Sequence, residues 1–325
     1  MKLFALNQSH YFGDKVAQEL GAPLAGHEER EFEDGEHKAR PLESVRGRDV
    51  FVIQSLHGGP DQSPNDKACR LLFFLATMRE NGARRVTAVV PYLAYARKDR
   101  QTKTRDPVTT RYTAQLLEAA GADVVVTMDV HNIVAFQNAH RCQTVHLDTR
   151  LLFAERAIDL VADDKVVVAS PDPGGVKRAQ LFRETLEARI GRPVGGAFME
   201  KRRSAGVVTG SHLVGELQDA TVLVIDDLIS SGGTMVRAAE ACREHGAKKV
   251  YAFAGHGLFV GDAAKVIADK SITGTFTTDT VPPFRLGKSL EQLRLEVISA
   301  APLFAEAIRR LHEGGSLADL LKWPE

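Results

Sequence analysis

The chain has little of several features that mark special classes of protein. Its 325 residues include one tryptophan and three cysteines, at positions 69, 142 and 242. An odd number of widely spaced cysteines argues against a disulfide framework and against a zinc site. Lys+Arg and Asp+Glu both number 42, so the net charge is zero. This balance gives no support for a nucleic-acid or membrane partner, and any anion site must be built locally.

Long hydrophobic runs and several common motifs are also missing. No apolar stretch approaches the length of a membrane-spanning helix, and Met1–Leu6 lead at once into polar residues rather than into the apolar core of a signal peptide. We therefore expect a cytoplasmic protein that binds neither membranes nor nucleic acids. The chain has no GxxxxGK followed by Ser or Thr, no GxGxxG, no HExxH and no paired CxxC. The common nucleotide and metal motifs are thus not used.

What is present is a regular alternation of short apolar strands with longer amphipathic segments. Hydrophobic residues make up 44% of the chain, enough for a sizeable core, and 325 residues correspond to about two domains. We predict strands at residues 49–54, 85–91, 124–129, 143–147, 166–170, 222–225 and 250–254, and helices at 67–81, 112–120, 176–190, 235–245 and 303–313. This order predicts an α/β fold with mainly parallel sheets flanked by helices. We place the domain boundary between residues 149 and 150, which gives domains 1–149 and 150–325.

The most informative stretch runs from Val224 to Thr234, Val-Ile-Asp-Asp-Leu-Ile-Ser-Ser-Gly-Gly-Thr. An apolar strand leads into two adjacent carboxylates and then into a small, hydroxyl-rich turn before a helix. Glycines and free N–H groups at a helix N-terminus favour a phosphate, whereas the carboxylates of Asp226 and Asp227 suit sugar hydroxyls or a metal. A helix N-cap would also explain Ser and Thr here, but it does not explain two acids at a strand end. The stretch therefore predicts a sugar-phosphate site.

Two further segments follow predicted strands. The turn Ser170–Gly175 contains one acid, Asp172, which is a candidate Mg²⁺ ligand, although an acid that caps a Pro-Gly turn is an equal alternative. Asp129 and His131 are two residues apart, so on an extended segment they share a face. His131 is either a metal or nucleotide contact or a structural histidine.

Each of three charged segments can be interpreted either as part of a functional site or as solvated surface. Lys201 and Arg203 could brace a pyrophosphoryl group, because charge stabilisation dominates phosphoryl transfer. The loop Tyr95–Pro107 could form a cationic lid over nucleotide phosphates. The acidic turn Glu31–His37 surrounds one aromatic ring that could stack on adenine. Taken singly, the cationic run and the acidic turn are better explained as solvated surface, and the loop is explained equally well in either way.

Taken together and in order, these segments resemble the ribose-phosphate pyrophosphokinase (phosphoribosyl pyrophosphate synthetase) family. The resemblance covers nearly the whole chain, from Asn7–His10 to Ala305–Arg310. The stretches that carry it are Phe32–Glu36, Ser44–Asp49, Pro91–Arg100, Met128–His131, Ser170–Gly175, Lys201–Arg203 and Asp226–Thr234.

The resemblance implies two phosphoribosyltransferase-like domains, an enzyme that transfers the pyrophosphoryl group of ATP to the C1 hydroxyl of ribose 5-phosphate with Mg²⁺ as cofactor, and a homo-oligomer. By matching position it also implies the following roles. Lys201 and Arg203 are catalytic; Phe32, Asp34, Gly35, Glu36, Arg97 and Lys98 bind ATP; Asp226, Asp227, Ser230, Ser231, Gly232, Gly233 and Thr234 bind ribose 5-phosphate; His131 and Asp172 contact the metal.

Two positions depart from the family pattern. Many members have an acid where this chain has Ser230, and many have glutamine where it has Lys98, which adds a positive charge to the nucleotide site. Two other functions remain as alternatives. A phosphoribosyltransferase shares the Asp226–Thr234 motif but needs only one such α/β unit. A non-catalytic regulatory relative would be free to lose Lys201, Arg203, His131 and Asp172, all of which are present.

Overall fold

The structure, a computed structural model, describes residues 1–204, 207–318 and 320, with the side chains of 201–204 and 207–212 outside that description. Its strands are β1 (Lys2–Ala5), β2 (His27–Glu31), β3 (His37–Pro41), β4 (Asp49–Ile53), β5 (Arg85–Val90), β6 (Val124–Met128), β7 (Gln143–Leu147), β8 (Val166–Ser170), β9 (Gly195–Ser204), β10 (Val207–Val214), β11 (Thr221–Ile229), β12 (Lys249–Gly257), β13 (Gly274–Thr278) and β14 (Leu295–Ile298). Its helices are α1 (His10–Leu20), α2 (Pro64–Glu80), α3 (Thr109–Ala119), α4 (Ile133–Ala139), α5 (Arg150–Val161), α6 (Val176–Ile190), α7 (Gly233–Glu244), α8 (Ala263–Ile267) and α9 (Ala301–Glu313).

The described residues form two compact units. The first contains Met1–Asp148 and the C-terminal segment from Ala300 onward, and the second contains Thr149–Ser299. The first unit is built on a five-stranded parallel sheet of order β1-β4-β5-β6-β7, with β2 and β3 as a separate antiparallel hairpin. The second has a seven-stranded sheet of order β10-β9-β8-β11-β12-β13-β14, parallel except where β10 pairs with β9.

Local sequence explains most of these elements. All five residues of β4, β6 and β8 are buried, and their high content of valine suits strands that are covered on both faces. Helix α2 begins with a capping box between Ser63 and Asp66, with Pro64 at its first position. Every strand and helix predicted above is present, with ends shifted by at most four residues. No helix within the described ranges is long and apolar enough to cross a membrane.

The C-terminal helix corrects the predicted division of the chain, which placed it in the second domain. Helix α9 packs on α1 in the first unit, where the rings of Phe12 and Phe304 meet edge to face at 5.3 Å. Ile308 and Leu311 are buried beside them. The apolar face of α9 is buried against α1, and the order of the elements along the sequence does not reveal this packing partner.

A buried carboxylate fastens α9 to the sheet of the first unit. Asp49 at the start of β4 has a side chain that is 1% exposed and accepts from Arg85 Nε at 2.8 Å and pairs with His312 Nδ1 at 2.8 Å. Arg85 also donates to the carbonyl oxygen of Leu311 at 2.6 Å. Burial alone raises the pKa of Asp49, but the hydrogen bonds from Arg85 and His312 outweigh it and hold the pKa below its ordinary value.

We predict that Asp49→Asn lowers the free energy of unfolding by about 2–3 kcal/mol, somewhat less than a fully buried pair because Arg85 stays partly exposed. A lowered carboxyl pKa stabilises the fold above the pKa of the unfolded chain, and this contribution is lost as pH falls through the folded-state value. Urea unfolding at neutral and acidic pH measures both effects. As control, Asp159→Asn removes an exposed partner of Arg156 at 3.6 Å and should cost less than about 0.5 kcal/mol. Equal losses for the two variants would contradict this role of Asp49.

Candidate functional site

Parallel pairing in the second unit places its polar segments at one edge of the sheet. Strands β8, β11 and β12 run in the same direction and end at Ser170, Ile229 and Gly257. The segments Pro171–Gly175 and Ser230–Gly232 follow the first two of these ends. Ligands of open α/β sheets bind at this edge, so the predicted sugar-phosphate and metal segments lie where such a site is expected.

The loop between β11 and α7 has the geometry of an anion cradle. Gly232, the residue before α7, has φ +83°, and a Cβ there would lie 3.0 Å from Val266 Cγ1. Because this residue has no side chain, no cap covers the N–H groups of the first turn of α7. The loop is fixed from behind, since the N–H of Val260 donates to the Ser230 carbonyl oxygen at 3.0 Å. These features suit a phosphate bound by backbone N–H groups and by the hydroxyls of Ser230, Ser231 and Thr234.

The two acids near the end of β11 form a closely coupled pair. The side chains of Asp226 and Asp227 are 18% and 6% exposed, and the N–H of Asp227 donates to Asp226 Oδ1 at 2.8 Å. Burial, and then the neighbouring charge of Asp227, raise the pKa of Asp226 well above its ordinary value. The protonated form of one acid is thereby favoured, which lets the pair both donate and accept hydrogen bonds with sugar hydroxyls.

Arg178 on α6 is a residue that the sequence analysis missed. Its Nη1 lies 3.9 Å from Asp226 Oδ1 and 3.7 Å from Asp227 Oδ1, and its charge opposes the rise in the pKa of Asp226. Its position in the first turn of the helix after the Pro-Gly turn was the available signal. On a helix with several charged residues, that position alone does not distinguish Arg178 from a solvated arginine.

Asp172 holds its own turn together. Its Oδ1 accepts from the N–H of Gly175 at 3.0 Å, and its carbonyl oxygen accepts from Ser170 Oγ at 2.6 Å. A Cβ at Gly175 would lie 2.7 Å from Ser170 Oγ, so a larger residue there would displace the hydroxyl that closes the turn. The structural alternative, a capping acid, is therefore confirmed for one carboxylate oxygen, whereas the metal role stays a prediction.

The first unit also collects predicted site residues at the carboxyl edge of its sheet. Arg97 and Lys98 follow β5, and His131 follows the neighbouring strand β6. Asn132 joins the two segments, because its Nδ2 donates to Asp99 Oδ2 at 2.6 Å while its Oδ1 caps α4. Asn132 was not predicted as a site residue, and its capping position gave no hint of the second bond.

The premise of one expectation about this segment, an extended backbone, is wrong. Asp129 has φ +40°, in the left-handed region, so the backbone is not extended between Asp129 and His131. Asp129 is 5% exposed, whereas His131 is exposed. The alternation that predicted a shared face therefore does not apply to these two residues, since it requires an extended strand. Period-two spacing fails wherever a strand ends in a turn.

The acidic turn with its single aromatic ring is the tip of the β2–β3 hairpin. Phe32 is 41% exposed, and its N–H donates to the carbonyl oxygen of Glu36 at 2.8 Å. Asp34 Oδ1 accepts from the N–H of Glu36 at 3.1 Å, and Gly35 has φ +91°. Asp34 thus has a bond within the turn, and the exposed ring of Phe32 offers a surface on which a base can stack.

Arg70 on α2 anchors this hairpin and was also missed. Its guanidinium pairs with Glu31, the residue before Phe32, and lies 3.7 Å from Glu29 Oε2. Glu29 is 4% exposed and also accepts from the N–H of Asn7 at 2.6 Å. The signal in the sequence was an arginine inside the apolar run of α2, which is buried only because these acids pair with it.

Lys201 and Arg203 fall on β9. The backbone of β9 pairs with β10 at Lys201↔Ser211 and Arg203↔Val208, as an extended strand requires. Their side chains lie outside the described residues, so their catalytic role stays a prediction. No group of three or more His, Cys, Asp or Glu side chains that could hold a metal occurs in the part of the chain that the structure describes.

Comparison with known proteins gives a consistent family. Residues 1–121 match the model of the N-terminal domain of ribose phosphate pyrophosphokinase, residues 150–256 match the phosphoribosyl transferase domain, and residues 207–322 match the phosphoribosyl synthetase-associated domain. The chain is 39% identical to a ribose-phosphate pyrophosphokinase of Caldanaerobacter subterraneus subsp. tengcongensis, covering 98% of this chain and 97% of the relative.

The chain belongs to the ribose-phosphate pyrophosphokinase family. A relative of that name from Clostridium tetani is 38% identical, with 98% of this chain and 97% of the relative covered. The crystal structure of phosphoribosylpyrophosphate synthetase from Mycobacterium smegmatis superposes with a TM-score of 0.86 at 33% identity, over 97% of this chain and 99% of that one. The predicted family, enzyme class and α/β fold are confirmed.

We predict that Gly232→Ala destabilises the protein by about 2–5 kcal/mol, the sum of about 1–2 for an L-residue with positive φ and about 1–3 for the contact with Val266. It should also weaken ribose 5-phosphate binding, because the N-terminus of α7 must shift. Gly191→Ala is the matched control: φ is +66° there, but no atom lies within 4 Å of the added Cβ. It should show the conformational cost alone, with sugar-phosphate affinity unchanged. Thermal unfolding and calorimetric titration measure the two effects; equal affinity in both variants would contradict the cradle.

Proposed function

We propose that this protein transfers the pyrophosphoryl group of ATP to the C1 hydroxyl of ribose 5-phosphate and releases AMP. The observation that carries the proposal is the end of β11, where a carboxylate pair is followed, across a short loop, by an uncapped, glycine-bearing helix N-terminus. One ligand that satisfies both features is a sugar phosphate. Full-length relationship to ribose-phosphate pyrophosphokinases supports the reaction.

In the second unit, Asp226 and Asp227 bind ribose hydroxyls and the residues Ser230–Thr234 bind the 5-phosphate. The raised pKa of Asp226 favours a proton on the carboxylate pair, which suits neighbouring hydroxyls that each donate and accept a hydrogen bond. Arg178 limits the rise in the pKa of Asp226 and so keeps negative charge in the pair. Ser230 contributes a neutral hydroxyl where many relatives have an acid, so the phosphate meets less negative charge in the loop.

In the first unit, the ATP site draws on the hairpin tip and on the loop after β5. Phe32 offers its exposed ring to adenine, while Asp34, Gly35 and Glu36 form the turn beside it. Arg97 follows β5 with an exposed guanidinium that suits the triphosphate. Lys98 was assigned to the same site by resemblance.

Mg²⁺ is the proposed cofactor, with His131 and Asp172 as its protein contacts. The residues fit such an ion, because Mg²⁺ is held by one or two carboxylates together with substrate phosphates and needs no cage of protein ligands. Asp172 uses Oδ1 for its turn, which leaves Oδ2 for a cation. When bound, the ion neutralises charge on the phosphates of ATP. His131 is exposed, in accord with a ligand-facing role.

The sugar hydroxyl attacks the β-phosphorus directly, so no covalent nucleophile of the protein takes part. Lys201 and Arg203 stabilise the charge on the pyrophosphoryl group during transfer. A phosphoribosyltransferase has no use for the hairpin tip or for an N-terminal domain of the kind matched by residues 1–121. Homo-oligomerisation, a cytoplasmic location and the absence of nucleic-acid and membrane partners stay predictions.

The reaction is tested by following each phosphate of ATP separately. With ribose 5-phosphate and Mg²⁺, labels in the β- and γ-phosphates should both move to the sugar product, and a label in the α-phosphate should stay in AMP. Transfer of the γ label alone, with ADP as product, would show an ordinary kinase. Release of pyrophosphate from a preformed phosphoribosyl pyrophosphate and a base, without any use of ATP, would favour the transferase.

We predict that Lys201→Ala removes most of the activity while ribose 5-phosphate binding stays nearly intact, because the lysine acts on the group in transfer. The drop should appear in kcat rather than in the KM for ribose 5-phosphate. Arg202→Ala is the matched control, because it removes an equal charge from the neighbouring position, to which the resemblance assigns no role. Near wild-type turnover in Lys201→Ala, or equal losses in the two variants, would rule out the assigned role.

A further inference from the structure

The charged loop after β5 is closed by one acid near its far end. Asp106 Oδ2 accepts from Thr102 Oγ1 at 2.8 Å, from the N–H of Thr102 at 3.2 Å and from the N–H of Lys103 at 2.9 Å. It also pairs with Lys98 Nζ. Gln101 Nε2 donates to the Asp106 carbonyl oxygen at 2.9 Å. The carboxylate of Asp106 thus bonds the two ends of a stretch of nine residues, 98–106, to each other.

Both the side-chain amine and the backbone carbonyl oxygen of Lys98 are hydrogen-bonded. Its Nζ donates to Thr102 Oγ1 at 2.8 Å as well as to Asp106. Its carbonyl oxygen accepts from the N–H and the Oγ1 of Thr110, both at 3.3 Å, which ties the loop to the first turn of α3. The hydrogen bonds from Lys98, and then from Thr102, hold the pKa of Asp106 well below its ordinary value, so this carboxylate stays charged at any physiological pH.

Arg97, the neighbouring residue, is in the opposite situation. Its side chain is exposed, and within the described ranges no hydrogen bond or ion pair holds it. The two adjacent cations are therefore not equivalent. Lys98 is neutralised by Asp106, whereas the charge of Arg97 is available to a ligand.

We infer that Asp106 is a positioning residue for the ATP site: it keeps Lys98 inside the loop as a brace and leaves Arg97 as the cation that meets the triphosphate. This inference rests on the proposed function, and it changes the role of Lys98 from an ATP contact to a structural partner of Asp106. An exposed pair alone contributes little. Here four donors converge on one oxygen, so loss of its charge releases the whole loop.

The direction in which Asp106→Asn changes the KM for ATP shows whether Lys98 braces the loop or contacts ATP. If Lys98 braces the loop, Asp106→Asn and Lys98→Gln should each raise the KM for ATP, by roughly three- to tenfold, and the double variant should be no worse than the poorer single one, since both break one interaction. The KM for ribose 5-phosphate should not change. If Lys98 instead contacts ATP, Asp106→Asn frees it and lowers the KM for ATP. A lowered or unchanged KM in Asp106→Asn, or additive effects in the double variant, would overturn the inference.

A second readout does not depend on catalysis. Trypsin can cut within the loop after Arg100, Lys103 and Arg105, and an ordered loop resists it. Without ATP, Asp106→Asn should be cut there at least about threefold faster than the wild type. Glu43→Gln is the control, because it breaks a comparably exposed pair with Lys2 in the same unit and should leave both readouts unchanged. Unchanged cleavage in Asp106→Asn would overturn the brace.

The Kd for ATP of the same variants is measured by equilibrium dialysis alongside the kinetics. If the wild type made no AMP in the presence of ribose 5-phosphate, the proposed function would fail, and the Kd for ATP would replace KM in the same comparison. Failure of the brace would leave AMP formation by the wild type intact, with only the response of Asp106→Asn reversed or absent. The two failures are therefore distinguishable.

Discussion

Parallel strand pairing is the constraint on which the rest of this structure depends. Strands that run in one direction deliver the segments after them to a single edge, where helix N-termini and loop N–H groups also point. In the second unit this brings the turn at Asp172 and the loop after Asp227 to one edge. In the first unit it brings the loop after β5 beside the segment that follows β6, joined by Asn132 and Asp99. Polar residues that are far apart in the sequence are thereby brought to the same edge of a sheet.

Because the chain carries no net charge, each charged group at these edges acts against a particular partner. Arg178 moderates the acid pair of β11, Arg70 holds the acidic hairpin, and Asp106 neutralises Lys98. These partners decide which charges remain for a ligand. In the first two cases the charged groups are largely buried and cannot lose their partners without a large cost, since an acid or a cation removed from water needs a partner.

Much of this could be predicted from the sequence, because hydrophobic periodicity and glycine-paired turns are local signals. The strands rich in valine and the loop Ser230–Gly233 needed only neighbouring residues. The remainder depended on distant contacts. The place of α9 was set by Phe12 and Asp49, far away in the chain, and the backbone turn at Asp129 defeated a rule that assumes extended structure. Arg178 could not be told from a surface cation until its acidic partners were known, and Arg70 differed from one only by lying in an apolar run.

The most direct test of the account is the release of AMP from ATP and Mg²⁺, measured with and without ribose 5-phosphate. The account predicts AMP only when the sugar phosphate is present, with one phosphoribosyl pyrophosphate formed for each AMP. Absence of AMP, despite measurable binding of ATP and ribose 5-phosphate, would contradict it and would favour a regulatory relative that binds the substrates without joining them.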